Sequence, residues 1–220
     1  IKLAQAMVLD EQDDKAYRLL IDGKKLTPDP LLLMAAGEAR VFEAQRMKRN
    51  LSAEDSLSNR APLLLDALQL APTSMIVLEA VVQFLIECDN ANADDLENVR
   101  EQMLTSVDPA ARHFVNGTVA LMDDDYETAQ YHLSEAAKEW TDMAGLLNNL
   151  AVTLAQSGEE RVLPQALSFS NAALKQLPDH AFLLETRGQI LVKLGRFQEA
   201  IADLEKALSD PNMRPLAHAG

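Results

Sequence analysis

One cysteine, Cys88, stands in the whole chain, which excludes an intrachain disulfide and any cysteine-rich metal site but leaves the redox compartment open. Basic residues are also scarce: 20 Lys and Arg face 34 Asp and Glu, a net charge of −14. A bare phosphate backbone would meet repulsion over most of that surface, so nucleic acid is not an expected partner. No apolar run approaches the roughly 20 residues of a membrane-spanning helix. The longest, Met75 to Ile86, is broken by Glu79 and Gln83. Aromatic residues make up only 5%, yet 48% of the chain is apolar and 25% charged, the balance of a folded, soluble chain with a core to bury. The first residue is Ile1 and no signal-like segment follows it, so targeting is not visible.

What the chain does have is internal repetition. Its clearest unit begins at Ala181 and runs through Leu184, Arg187, Gly188 and Leu191, then Gly195 and Phe197, then Ala200, Leu204, Ala207 and Leu208 to Pro211. Both halves carry helical spacing, and Gly195 breaks the chain between them. In register with Gly188 stand Ala4, Gly37, Val82, Gly117, Ala151 and Gly220, at intervals of 33, 45, 35, 34, 37 and 32 residues. All but Val82 are small, as a close approach of two helices requires. Two further columns are alanine: Ala16, Ala129, Ala166 and Ala200, where the second helix meets the first, and Ala67, Ala136, Ala173 and Ala207, where it meets the next repeat. Prolines at 28, 72, 109, 178 and 211 are placed to stop the second helix.

This pattern resembles the tetratricopeptide repeat. The resemblance covers essentially the whole chain and is strongest from Ala110 onward. It implies an all-α, right-handed superhelical solenoid of antiparallel helix pairs, one continuous domain over residues 1–220. The repeats fall at 1–29 (partial), 30–74, 75–109, 110–143, 144–180 and 181–212, with 213–220 opening a further one. Departures are expected at three places: a first helix running on through Lys48 before a polar loop from Ser52 to Asn59, three added residues in Glu159 to Leu163 before Pro164, and a polar turn without glycine between Cys88 and Leu96. Neither end has the polar face of a solenoid cap, so the chain reads as a fragment of a longer array.

Catalytic and metal-binding constellations find no support. His113, His132, His180 and His218 share no ligand spacing. Asp123, Asp124 and Asp125 with Glu127 fall where a turn between helices is expected, and aspartate there serves as turn former and helix cap. Cys88 has no basic neighbour in sequence to activate its thiol. No Gly-rich phosphate loop or nucleophile elbow occurs. The expectation is a protein that is not an enzyme and carries no cofactor or metal.

Binding chemistry is better supported. The resemblance implies a concave face lined by the first helix of each pair, and the positions not needed for packing can be read from the spacing. They are Leu31, Met34, Glu38 and Phe42; Ile76, Glu79, Gln83 and Glu87; Ala111, Phe114, Thr118 and Met122; Asn148, Asn149, Val152 and Gln156; and Phe182, Glu185, Gln189 and Lys193. Nine of these are the favoured groove residues: Asn148, Asn149, Phe114, Phe182, Glu79, Gln83, Glu87, Glu185 and Gln189. Asn149 ranks first, because grooves of the resembled family commonly place an asparagine there and an amide can both donate to and accept from a peptide backbone. An ordinary helix-surface asparagine is the alternative. The lysines and arginine with which one subset of the family captures a terminal carboxylate would fall on Phe114, Phe182 and Thr186, so that subset's chemistry is missing.

Charge gathers in the middle. Residues 75–109 hold eight acids and one base, and 110–143 hold seven acids and two bases. Glu79 and Glu87 on a groove face would favour a basic protein or peptide partner. The expected function is a protein- or peptide-binding scaffold or adaptor. The alternative is a structural module that self-associates through uncapped ends or spaces other domains.

Overall fold

The computed structural model describes residues 1–26, 29–51, 53–90, 101, 103–105 and 107–209. Most of the described residues are helical, with no strand among them. Among the described residues the α-helices with defined bounds are α1 Lys2–Leu9, α2 Asp13–Leu26, α3 Pro30–Asn50, α4 Ala53–Leu70, α5 Met75–Asn90, α6 Pro109–Met122, α7 Tyr126–Ala136, α8 Ala144–Gln156, α9 Leu163–Gln176, α10 Ala181–Lys193 and α11 Phe197–Leu208. Leading helices α1, α3, α8 and α10 pack against the helices that follow them, α2, α4, α9 and α11. Pro211 and the repeat expected to open at Met213 lie outside the described residues, as do Pro28 and most of the turn from Cys88 to Leu96.

Helix boundaries follow local chemistry. Asp29 accepts a hydrogen bond from the Leu31 N–H at 2.9 Å while Pro30 fills the first helical position of α3. Asp125 caps α7 by accepting from the Thr128 N–H at 3.1 Å, and bonds from Thr128 hold its carboxyl below the usual range. Pro164 sits in the first turn of α9. Helix α4 ends two residues before Pro72 and α9 two before Pro178. α3 does run on past Lys48, as expected, but the expected polar loop from Ser52 to Asn59 is corrected: α4 already occupies it from Ala53. Ser56, Leu57, Arg60, Ala61 and Leu64 recur at helical spacing and are all buried, so the segment has an inward face despite its polar composition. Pro62 lies inside that helix on its exposed side.

The chain divides into two compact units, residues 1–115 and 116–220. In the first, Ala4, Ala16, Leu20 and Ala36 form a core cluster between α1, α2 and α3. Arg40 packs over the Tyr17 ring at 3.4 Å and bonds Asp66 and Glu43. In the second, Leu147, Leu174, Leu184 and Ala207 share one cluster, and Ala151, Leu154, Ala166 and Ile190 another.

The small-residue columns are packing sites. Every member of the two alanine columns is buried. A β-carbon on Gly37 would come within 2.9 Å of the Ala67 carbonyl oxygen, one on Gly117 within 2.7 Å of Leu133 Cγ, and one on Gly188 within 2.7 Å of Leu204 Cγ. In each case the neighbour is on the second helix of the same pair. Seven residues beyond the first column lies a regularity of a different kind. Glu11, Asp124, Gly158 and Gly195 all have positive φ, between 59° and 80°. One left-handed residue therefore turns the chain out of a leading helix in four repeats, and in two of them it is not glycine.

Candidate functional site

A groove in the first unit is built on one stripe of α3. Ala35, Glu38, Ala39, Phe42, Arg46 and Arg49 line it at helical spacing. From α1 come Ala4, Gln5 and Val8, with Ile1 just before that helix, and from α5 comes Ile76. Its volume is about 650 Å³. Phe42 is 37% exposed and Ile76 42%, so bulky apolar surface remains open to solvent at its walls. Two polar groups are fixed from behind. Glu38 accepts from the Ser74 hydroxyl at 2.9 Å. Arg46 bonds Asp13, Glu11 and the Val8 carbonyl, and the Asp13 contact raises its already high pKa.

A smaller cleft of about 290 Å³ lies between α3 and α5, and it gathers three favoured residues, Glu79, Gln83 and Glu87, on one stripe of α5. Across from them stand Lys48 on α3 and Arg60 on α4. Lys48 and Arg60 each bond a Glu87 oxygen at 2.6 Å, and Arg60 also lies 5.5 Å from the centre of the Phe84 ring. Burial alone would raise the Glu87 carboxyl, but the two cations outweigh it and hold the group below the usual glutamate range. Its charge is thus compensated within the chain, contrary to its expected role as bait for a basic ligand.

In the second unit, contacts tie the leading helices together through residues read as groove positions. Asn149 on α8 donates to the Thr118 hydroxyl on α6 at 3.0 Å. Lys193 at the end of α10 donates to the Gln156 side chain at 3.0 Å and to the Ala155 carbonyl. Asn148 is half-buried, and its side-chain oxygen makes no hydrogen bond among the described residues. Glu185 and Gln189 bond each other at 3.1 Å along α10. Phe182 is 58% exposed beside His180. Phe114, at the end of the first unit, requires a correction: it is fully buried, and a core side chain offers a ligand no surface. Its i, i+3 and i+4 spacing could not separate an inward from an outward position on a helix that is apolar nearly all round.

Glycine packed against the second helix of its own pair at three points, and a left-handed turn closing the leading helix in four repeats, give an all-α helical-repeat architecture. The fold resembles the tetratricopeptide kind. Among solved structures the chain is similar to YrrB, a TPR protein with an unusual peptide-binding site, at 17% identity and a TM-score of 0.48 over 86% of this chain and 91% of that one. It is similar to MamA at 16% identity and a TM-score of 0.40, covering 95% and 94%. The TPR2AB domain of yeast Sti1 in its pHSP90 complex gives 16% and 0.42, covering 94% and 87%. No family model matches the chain, and no curated protein matches it in sequence. Among the described residues no helix is long and apolar enough to cross a membrane. No group of three His, Cys, Asp or Glu side chains among them is placed to hold a metal ion.

Sequence reasoning did not single out the α1–α3 groove. Glu38, Phe42 and Ile76 were legible as leading-helix positions, but Arg49 lies beyond the length of a standard first helix. The signal was the 45-residue interval between Gly37 and Val82, which lengthens α3 by enough to add that residue to the stripe.

Proposed function

We propose that the chain is a non-catalytic protein- or peptide-binding scaffold that receives its ligand on the faces of its leading helices. The observation that supports this most directly is the groove over α3, where exposed Phe42 and Ile76 stand beside a few fixed polar groups. An apolar wall with sparse, anchored polar groups is the usual composition of a ligand groove. Asn149, Asn148, Phe182, Glu185 and Gln189 in the second unit and Glu79 and Gln83 in the first extend the same reading along further leading helices. A basic partner has less support once Glu87 is neutralised by Lys48 and Arg60.

The test is selection of displayed random short peptides on the whole chain, followed by titration of enriched peptides against variants. Phe42→Ser or Asn149→Ala should weaken binding by about 1 to 3 kcal/mol, and the second-helix control Glu135→Gln should leave it unchanged. Loss in the control alone would move the site to the second helices.

A second reading, self-association, draws on α11. Phe197, Ile201 and Leu208 fall on one stripe of that helix and each is more than half exposed. Sedimentation over a concentration series separates the two readings.

A further inference from the structure

The groove over α3 is apolar along its middle but electrically asymmetric along its length. Glu38 and Arg49 lie eleven residues apart on the same stripe of α3, about 16 Å at 1.5 Å per residue. Phe42 sits between them, and Ile76, Val8 and Ala39 continue the apolar surface. Arg46, the other cation on the stripe, is fully engaged by Asp13, Glu11 and a backbone carbonyl. Arg49 differs: it is exposed, lines the groove, and makes no ion pair or hydrogen bond with any described residue. At the opposite end Glu38 holds the Ser74 hydroxyl and pairs with no cation among the described residues. A location near the end of α3 accounts for a favourable basic residue. It does not account for a side chain that lines an apolar groove without a partner among the described residues, in a chain this acidic.

We infer that this groove takes a peptide segment with bulky apolar side chains at its centre and a carboxylate at the end over Arg49, with none opposite Glu38. The inference rests on the scaffold reading and gives it a ligand chemistry. An extended segment of about five residues covers the distance at 3.3 to 3.6 Å per residue. Its apolar residues meet Phe42 and Ile76 and supply the affinity. Its carboxylate meets Arg49 and, because a like charge opposite Glu38 is repelled, fixes the direction in which the segment lies. The net charge of the whole chain would by itself select basic peptides, so an acidic preference at one end is a specific consequence of Arg49.

The experiment selects displayed random short peptides on the full chain and in parallel on Arg49→Glu, Arg49→Gln and Phe42→Ser, each first checked for cooperative unfolding. The wild-type pool should gain Asp or Glu at one fixed distance from a pair of apolar residues. Those peptides should bind Arg49→Glu roughly tenfold more weakly, chiefly through slower association, with Arg49→Gln between the two. The pool selected on Arg49→Glu should carry Lys or Arg at that position, and Phe42→Ser should lose the pool altogether. Identical pools on wild type and Arg49→Glu, with both lost in Phe42→Ser, overturn the charge assignment and leave the scaffold reading standing. Pools that survive Phe42→Ser overturn the placement in this groove. Absence of any enrichment on the wild type overturns the scaffold reading as well.

Discussion

Gly37 lies against Ala67 so closely that a β-carbon on the glycine would stand 2.9 Å from the alanine's carbonyl oxygen, with Ala71 Cβ at 2.7 Å on the same side. Backbone and a β-carbon cannot swing aside as the tip of a long side chain can. Gly188 faces only Leu204 at such distances, and a leucine can change rotamer. Gly37→Ala should therefore cost about 3 kcal/mol and Gly188→Ala about 1 kcal/mol, at the two ends of the range for overpacking. Urea midpoints of the two variants decide this. Equal losses would mean that α3 and α4 move apart as easily as a leucine rotates.

Gly195 and Gly158 are required for a different reason. Nothing lies within 4 Å of a β-carbon at either position, so space is available, but φ is 72° and 80°. Alanine at either should cost about 1 kcal/mol through backbone strain alone. Gly23, inside α2, has an ordinary backbone and a nearest contact of 3.6 Å to Leu32. There alanine should stabilise by about 0.5 to 1 kcal/mol, because it lowers the entropy of the unfolded chain. Thermal unfolding of the three variants should show this reversal of sign, and a loss at Gly23 would refute it.

Glu87 gives a pH signature. Its pKa in the folded chain is lower than the ordinary 4.5, so the carboxylate stabilises the fold at pH above that value. The contribution disappears as pH falls through the folded pKa. Glu87→Gln should thus cost about 1 kcal/mol at neutral pH, partly by leaving buried Arg60 with one bond fewer. The difference from wild type should hold steady down to about pH 4.5 and then shrink on further acidification. A difference that persists unchanged into strong acid would show that Glu87 acts through packing and not through its charge.

How far the sequence foretold these features depends on which force sets each one. Columns set by steric closeness were legible, because Gly37, Gly117 and Gly188 are the only residue type that fits so near another helix. The left-handed turns were legible at Gly195, where glycine announces them, but not at Glu11 or Asp124, where a residue with a β-carbon adopts the same φ. Ser56, Leu57 and Arg60 hid the start of α4, since a polar run with one leucine reads as a loop until its neighbours bury one side of it. Phe114 and Phe182 look alike in sequence and differ completely in exposure. Partnership was illegible throughout. That Glu87 is matched by Lys48 and Arg60 depends on residues 39 and 27 positions away, and no local pattern carries it.

The strip on α11 is the last test. Phe197, Ile201 and Leu208 are 56%, 54% and 58% exposed and fall within a narrow arc of the helix, whereas Ala200, Asp203 and Ala207 on the other side are buried. Covering three such side chains would contribute about 1.5 to 3 kcal/mol for each one fully removed from water, before the cost of association is subtracted. That margin supports weak self-association and no more. Sedimentation should show the mean mass of the wild type rising with concentration in the micromolar to millimolar range, which corresponds to about −8 to −4 kcal/mol. Ile201→Lys should keep the chain monomeric across the same range, and because residue 201 is exposed it should leave the unfolding midpoint nearly unchanged. A wild type that stays monomeric throughout would eliminate self-association through α11 and leave peptide binding on the leading helices as the reading to pursue.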